Sequence, residues 1–298
     1  MPFPCLSYHC FSLSIGMSSS RNGLTSRAKL DGIELEYLVG GSGEPVVLIH
    51  GAVLANYLSV LQREPLLTKN YCLVGYSRRG FGGSTHPKGS LTVQEQASDT
   101  RKLMGYLGVE KAHIVGHSAG GKIALQFALE YPEMVHTLSL LEPDLTSCVS
   151  APTIQQAIQF IAPLGEMYQR GDKAGAINAF LSLVAGPDGP NIMEKVIPGA
   201  MNQAIKDADA LFQIDLVAGQ SITTAEDAKR VKQPVLSVVG ADTLPIFKEI
   251  AEIVSAWFPQ SSKVVIPNAN HAFPFTNPRE LAEVLSGFFA RYPIQVIA

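Results

Sequence analysis

The chain has 298 residues, of which 46% are hydrophobic and 16% are charged. Such a chain can bury a large core without help from disulfides or structural metals. A formal net charge of −3 at pH 7 leaves no basic surplus for phosphate groups, which argues against a nucleic-acid partner. The sequence also lacks the long apolar run of a membrane span and any CxxC pair, so neither a span nor a metal site is predicted.

The N-terminal segment is mildly apolar but lacks the basic start and the long unbroken apolar run of a secretory signal. We therefore expect residues 1–20 to be a disordered leader or an upstream extension outside the fold. The chain is expected to be cytoplasmic. Organellar targeting or secretion through this segment stays an open alternative.

Short apolar or β-branched runs alternate with longer helical stretches from Arg27 onward. This alternation predicts an α/β protein with a mostly parallel twisted sheet and helices on both faces. The predicted strands are 33–38, 46–49, 72–75, 112–115, 135–141, 235–239 and 263–266. The predicted helices of the sheet layers are 91–107, 122–131, 246–258 and 279–289.

The strand pattern disappears in the middle of the chain, between residues 146 and 229. Apolar residues recur there at helical spacing through 154–161, 174–183 and 192–212. We therefore predict a core formed by residues 21–145 and 230–298. The segment 146–229 is predicted to be an inserted helical cap over one end of the sheet.

The segment 116–120 has the pattern GxSxG, with Ser118 at its centre. It lies between a predicted buried strand and a predicted helix. A sharp turn in this context exposes the serine hydroxyl, and small neighbours let the strand and the helix approach each other. Ser118 is the predicted nucleophile, and the alternative is a serine that only caps the helix.

A serine hydroxyl needs a base to take its proton, and histidine has a suitable pKa. His271 follows the last predicted strand and precedes the last helix, which is the final place in the chain order serine, acid, histidine. His271 is therefore the predicted base. The alternative is an ordinary surface-loop histidine.

A carboxylate must orient the imidazole of the base, and candidates stand at two strand ends. Glu142 comes directly after a buried strand, where a carboxylate is costly unless it has a partner. Asp242 follows the next strand, and Asp144 lies two residues beyond Glu142. We favour Glu142 and keep Asp242 and then Asp144 as alternatives.

Acyl transfer also requires backbone N–H groups that face the developing oxyanion. The amide of Ala119, directly after the nucleophile, is one expected donor. The second should come from the turn after strand 46–49, where we favour Ala52 over Gly51. The alternative is that this turn only ends a strand.

Two glycine clusters, at 40–43 and 80–83, lack the GxGxxG arrangement that opens a helix after a first strand. They are interpreted as turns rather than phosphate-binding loops. No cofactor is predicted.

The chain resembles the α/β-hydrolase superfamily through the motifs at 47–51, 76–84, 116–121 and 270–271, and the resemblance covers about residues 30–292. It is similar to the capped branch of serine esterases, lactonases and carbon-carbon-bond hydrolases. This resemblance implies a cofactor-free mechanism through an acyl-enzyme. Dehalogenases and epoxide hydrolases of the superfamily carry aspartate at the elbow, so Ser118 argues against both activities.

One departure from the family pattern concerns the acid. Asp242 comes one residue early after Gly240, which shifts the preference toward Glu142. In this respect the chain resembles fungal lactone hydrolases, in which a glutamate after the sixth strand completes the triad.

The resemblance thus implies a serine hydrolase that acts on a small-molecule ester or lactone. Candidate pocket residues are His117, Phe180, Met193 and Phe212. A small-molecule receptor with slow or no turnover is the alternative from a different class. Carbon-carbon-bond hydrolysis and perhydrolysis remain alternatives at the same site.

Overall fold

The computed structural model describes residues 25–55, 57–216 and 224–295. The predicted leader, residues 1–20, lies outside the described residues. Within these ranges, no helix combines the length and apolar character needed to cross a membrane.

Eight strands form one sheet in the order β1-β2-β4-β3-β5-β6-β7-β8. They are β1 (Ser26–Leu30), β2 (Ile33–Gly41), β3 (Glu44–Ile49), β4 (Tyr71–Tyr76), β5 (Ala112–His117), β6 (Val135–Leu141), β7 (Val235–Gly240) and β8 (Ser262–Ile266). All pairs from β4 to β8 are parallel, whereas β2 pairs antiparallel with both β1 and β4. The sheet therefore confirms the predicted α/β class and adds β1, a short strand with little apolar signal.

The helices are α1 (Pro65–Thr68), α2 (Val93–Tyr106), α3 (Ala119–Glu130), α4 (Ala151–Gln169), α5 (Lys173–Ala185), α6 (Gly189–Val196), α7 (Ala200–Lys206), α8 (Ala208–Ala210), α9 (Ala225–Ala228), α10 (Pro245–Trp257), α11 (Phe273–Thr276) and α12 (Pro278–Phe289). A 3₁₀ segment covers Tyr57–Arg63, and a π-helical turn covers Leu211–Asp215. Apolar side chains of α2, α3 and α10 pack on one face of the sheet, and those of α12 and the 3₁₀ segment pack on the other.

The inserted segment is built from α4 to α8, and its buried side chains join the core cluster on the α12 face of the sheet. The stretch 192–212, whose spacing suggested continuous helix, is divided at Pro198 and Gly199. Proline cannot continue a helix, and Gly199 adopts a φ of 86° that favours glycine. One helix, α6, therefore ends before this pair of residues, and a second helix, α7, begins after it.

Candidate active site

Ser118 occupies a strained turn between β5 and α3, with φ 54° and ψ −123°. Such values are rare for a residue with a side chain and persist only when the surroundings enforce them. The enforcement comes from close backbone approaches, because a Cβ on Gly116 would lie 2.3 Å from the carbonyl oxygen of Gly120, and one on Gly120 would lie 2.1 Å from that of Ile49. The small residues that the sequence pattern contains are thus required by packing.

Glu142 directly follows β6 with a φ of 41°, and its side chain is buried. One carboxylate oxygen accepts the N–H of Gly240 at 2.7 Å. The other accepts the hydroxyl of Thr243 at 2.9 Å and lies 2.5 Å from Nδ1 of His271. The carboxylate is therefore fully partnered inside the protein, which compensates for its burial.

The other candidate carboxylates lie in different surroundings. Asp144 contacts the ammonium of Lys122 at 2.7 Å. Burial alone would raise the pKa of Asp144, but Lys122 and two hydrogen bonds from Thr146 lower it overall. Asp242 is exposed to solvent. Of the three candidates, Glu142 is the one that the structure places on His271.

His271 lies in the loop after β8 and is 5% exposed. Its ring stacks on Phe247, with centroids 3.8 Å apart and planes at 7°. Because Nδ1 faces the carboxylate of Glu142, the proton belongs on Nδ1 and Nε2 is left as the acceptor. This tautomer is the one that a general base requires.

A chain of hydrogen bonds links the turn after β3, the end of β5 and the loop after β8. The N–H of Gly51 donates to the Tyr57 hydroxyl at 3.0 Å, and that hydroxyl contacts Nδ1 of His117. Nε2 of His117 lies 3.0 Å from the carbonyl oxygen of His271, which can only accept, so Nε2 carries the proton. Burial and the nearby His271 hold the pKa of His117 well below its usual value, which keeps the ring neutral.

The same contacts bear on the two expected oxyanion donors. The amide of Gly51 is engaged by Tyr57, whereas the next residue, Ala52, lines the same cavity as Ser118. Ala119 is the first residue of α3, where backbone N–H groups lack partners within the helix. Ala52 and Ala119 therefore stay the candidate donors.

One cavity of about 40 Å³ borders Ser118 and His271. Its other lining residues are Ala52, Val53, Tyr57, His117, Phe180, Leu181, Val184, Ala185, Met193, Ala272 and Phe275. The insertion supplies side chains from α5 and α6, which include the candidates Phe180 and Met193. Apart from the histidines, the described lining residues carry no ionisable side chain other than Tyr57.

Phe212, the fourth candidate pocket residue, is not among the residues that line this cavity. Its ring stacks on Tyr168, with centroids 4.4 Å apart, and it lines a separate outer groove with Lys173 and Asp209. Helical spacing identified Phe212 as apolar and inward-facing, but spacing alone does not say which side of the insertion faces the site. Tyr57, by contrast, lines the cavity without having been predicted, because no motif marks it.

Comparisons with known proteins support the family resemblance. A family model described as alpha/beta hydrolase fold matches residues 44–278. Fluoroacetate dehalogenase of Burkholderia sp is 37% identical over 116 residues, which are 37% of this chain and 38% of that protein. The chain therefore spans about two fifths of the length of this curated relative.

Two further matches extend over most of the chain. A putative non-heme chloroperoxidase of Synechocystis sp. is 26% identical over 262 residues, which are 86% of this chain and 95% of that protein. The solved structure of a thermophilic esterase from Thermogutta terrifontis has a TM-score of 0.73 and 24% identity, covering 90% of this chain and 99% of that one. At this identity the structural likeness shows the fold alone.

Proposed function

This chain belongs to the alpha/beta hydrolase family, and we propose that it is a serine hydrolase that cleaves a carboxylic ester or lactone through an acyl-enzyme. One observation carries the proposal: the strained Ser118 borders the same cavity as His271, whose Nδ1 is held by the buried Glu142. This is the constellation that nucleophilic acyl transfer requires.

The reaction proceeds in two halves. The hydroxyl oxygen of Ser118 attacks the substrate carbonyl carbon while Nε2 of His271 takes the hydroxyl proton, and the N–H groups of Ala119 and Ala52 stabilise the oxyanion. The tetrahedral intermediate expels the alcohol, which receives the proton from His271. Water then attacks the acyl-enzyme by the same route and releases the carboxylic acid.

The nucleophile separates this proposal from the chemistry named for the dehalogenase relative. An aspartate at the elbow attacks an alkyl carbon and forms an alkyl ester, whereas Ser118 supports attack on a carbonyl. The chloroperoxidase relative is compatible with the same acyl-enzyme, since peroxide can replace water in the second half. Perhydrolysis and carbon-carbon-bond hydrolysis are therefore side outcomes to test at this site.

The cavity supports an uncharged, apolar substrate. Phe180, Leu181 and Met193 line it, and a formal charge on the substrate would find no partner among them. Its volume of about 40 Å³ is well below the roughly 300–1,000 Å³ of most small-molecule sites. Side chains of α5 and α6 must therefore move aside when the substrate enters.

The test is a screen of p-nitrophenyl esters and lactones with the wild-type chain and the Ser118→Ala variant. We expect turnover by the wild type and its loss in the variant by about 10⁴-fold or more. Ser139→Ala is the matched control, because Ser139 is a buried serine on β6 whose hydroxyl has no hydrogen-bond partner among the described residues. Retained activity in Ser118→Ala, or tight ligand binding without turnover in the wild type, would contradict the proposal.

A further inference from the structure

Arg78 is a buried arginine two residues after the end of β4, and it is 1% exposed. Its guanidinium donates to both carboxylate oxygens of Asp215, at 2.9 and 2.8 Å. The same group donates to the side-chain oxygen of Gln96 at 2.5 Å and to the carbonyl oxygen of Gly51 at 2.9 Å. One side chain therefore connects a cap residue with the turn that carries the proposed oxyanion donor.

Asp215 reaches the core from the cap, 137 residues after Arg78 in the chain. It ends the π-helical turn Leu211–Asp215, whose Ile214 packs with Phe81. Gly80 has a φ of 89°, which favours glycine, and a Cβ there would lie 2.8 Å from the side chain of Ile214 and 3.0 Å from Cβ of Ala210. The cluster 80–83 thus serves as a docking surface for the end of the cap.

The carbonyl oxygen of Gly51 has a second donor, His50, whose Nδ1 lies 2.7 Å away. Nε2 of His50 accepts the backbone N–H of Arg78 at 2.9 Å, so the proton of the ring belongs on Nδ1. Burial, and then the charge of Arg78, hold the pKa of His50 well below its usual value. His50 is therefore a neutral donor to the same oxygen.

Because the peptide bond is planar, the hydrogen bonds to the Gly51 carbonyl oxygen also orient the N–H of Ala52. The Gly51 carbonyl and the Ala52 N–H belong to one planar peptide group and point in opposite directions in its trans form. Two donors on the carbonyl oxygen fix the plane and leave the N–H directed away from Arg78. They also polarise the peptide group, which strengthens the opposite N–H as a donor.

We propose that Arg78, held by Asp215 of the cap, is a positioning residue that orients the Gly51–Ala52 peptide for oxyanion binding. Formation of the Arg78–Asp215 ion pair and orientation of this peptide group are then coupled. The inference rests on the proposed function, because it gives the Ala52 N–H a role in acyl transfer. A lysine at this position cannot replace the arginine, since one ammonium cannot serve both carboxylate oxygens and a carbonyl in a planar fork.

The cap offers a matched control for this role. Asp207 is also buried, and it accepts the backbone N–H of Gly82 at 2.8 Å. It therefore ties the cap to the same turn of the core without touching Gly51. A loss of activity that came only from a loosened cap would appear in Asp207→Asn as well as in variants of Arg78.

The experiment compares Arg78→Lys and Asp207→Asn with the wild type, using a reactive p-nitrophenyl ester. We expect Arg78→Lys to lower kcat by about ten- to a hundredfold, in line with the loss of an oxyanion donor, while KM changes little. Affinity for a trifluoromethyl ketone, which forms an oxyanion on Ser118, should fall by the same factor. Affinity for the unreactive amide analogue should not change, and Asp207→Asn should alter neither kcat nor ketone affinity.

The double variant Arg78→Met, Asp215→Leu tests whether the loss of activity in Arg78→Lys comes from misfolding. Replacing a buried ion pair by apolar residues of similar size is often neutral for stability, so this variant is expected to fold with a wild-type melting temperature. It should still show the reduced kcat and ketone affinity. A folded double variant with wild-type kcat, or an equal loss in Asp207→Asn, would overturn the inference. Absence of ester turnover in the wild type would instead overturn the proposed function, and the oxyanion role with it.

Discussion

The sheet edge and the cap surround the same cavity with different kinds of contact. At the sheet edge, directional hydrogen bonds hold Glu142 and His271 between backbone groups. On the cap side, Phe180 and Met193 contribute apolar surface from α5 and α6. Hydrogen bonds fix atoms to within a few tenths of an ångström, whereas apolar contacts are non-directional and tolerate repacking.

This difference teaches where chemistry and selectivity are expected to reside. Precise groups are needed for proton transfer, and these lie on strand ends. A surface that must open for a substrate is better made of apolar side chains, since no buried polar partner is lost when they separate. Asp215 and Asp207 are exceptions, because each brings a directional contact from the cap to the core.

The largest expected effect on kcat comes from replacing Glu142, the carboxylate that contacts His271. Glu142→Gln keeps the shape but disfavours the Nδ1–H tautomer of His271, so kcat should fall by about 10⁴-fold. Asp242→Asn is the matched control, an exposed carboxylate beyond the neighbouring strand β7. Steady-state ester hydrolysis by both variants checks the prediction. Should Asp242→Asn lose activity while Glu142→Gln keeps it, the acid would be Asp242.

The second prediction concerns Gly51, in the turn after β3. A Cβ on Gly51 would lie 2.7 Å from the Tyr57 hydroxyl and 2.8 Å from Cβ of Ser118. Gly51→Ala must therefore displace the turn or the nucleophile, and kcat should fall on the order of 10²-fold, as misplacements of about 1 Å do. Gly89→Ala, at an exposed position with no atom within 4 Å of the added methyl, should leave kcat unchanged. Equal rates in the two variants would contradict the close packing.

The sequence predicted much of this edge because its constraints are local. GxSxG after an apolar strand reports a turn that only small residues permit, and a glutamate after a buried strand needs a partner. Both signals lie within a few residues of the atoms concerned. The structure accordingly brings Ser118 and His271 to one cavity and places Glu142 against Nδ1 of His271.

The cap and its contacts were less accessible to the same reasoning. Arg78 and Asp215 become partners through the fold, across 137 residues, and each alone has the pattern of an ordinary surface charge. Tyr57 is an aromatic residue with no motif around it. Helical spacing predicts that Phe212 is buried but does not identify Tyr168 as the ring that stacks on it. Long-range partners of this kind require the tertiary structure.

The cap side of the comparison is tested at Met193, which is 2% exposed and lines the cavity. Met193→Ala should enlarge the cavity. The ratio of kcat/KM for bulky esters to kcat/KM for acetate esters should then rise by about tenfold. The measurement is a series of esters of increasing acyl length, alongside a melting curve. Ile192→Ala, at the neighbouring exposed position on α6, should leave the ratio unchanged. If Met193→Ala instead lowered kcat/KM equally for all esters, Met193 would contribute to the chemical step rather than to selectivity.

The smallest effect concerns stability and lies at the opposite end of β5 from the nucleophile. Burial lowers the pKa of His113 to about 4, although its hydrogen bond to the Glu44 carboxylate raises the pKa, and the nearby His136 lowers it further. Below about pH 6.5 the unfolded chain therefore binds a proton that the folded chain does not. The free energy of unfolding should fall as the pH decreases from about 6.5 toward 4, by roughly 1 kcal/mol per pH unit for this histidine.

Chemical denaturation of the wild type and His113→Gln at several pH values measures this slope. The variant lacks the titrating ring, so its free energy of unfolding should depend less steeply on pH in this range. Leu66→Gln, which changes an exposed side chain without a titrating group, should keep the wild-type slope. Activity per folded molecule should be the same in all three, because His113 contacts Thr137 and Glu44 rather than Ser118, Glu142 or His271. An unchanged slope in His113→Gln would show that His113 titrates alike in the folded and unfolded chains.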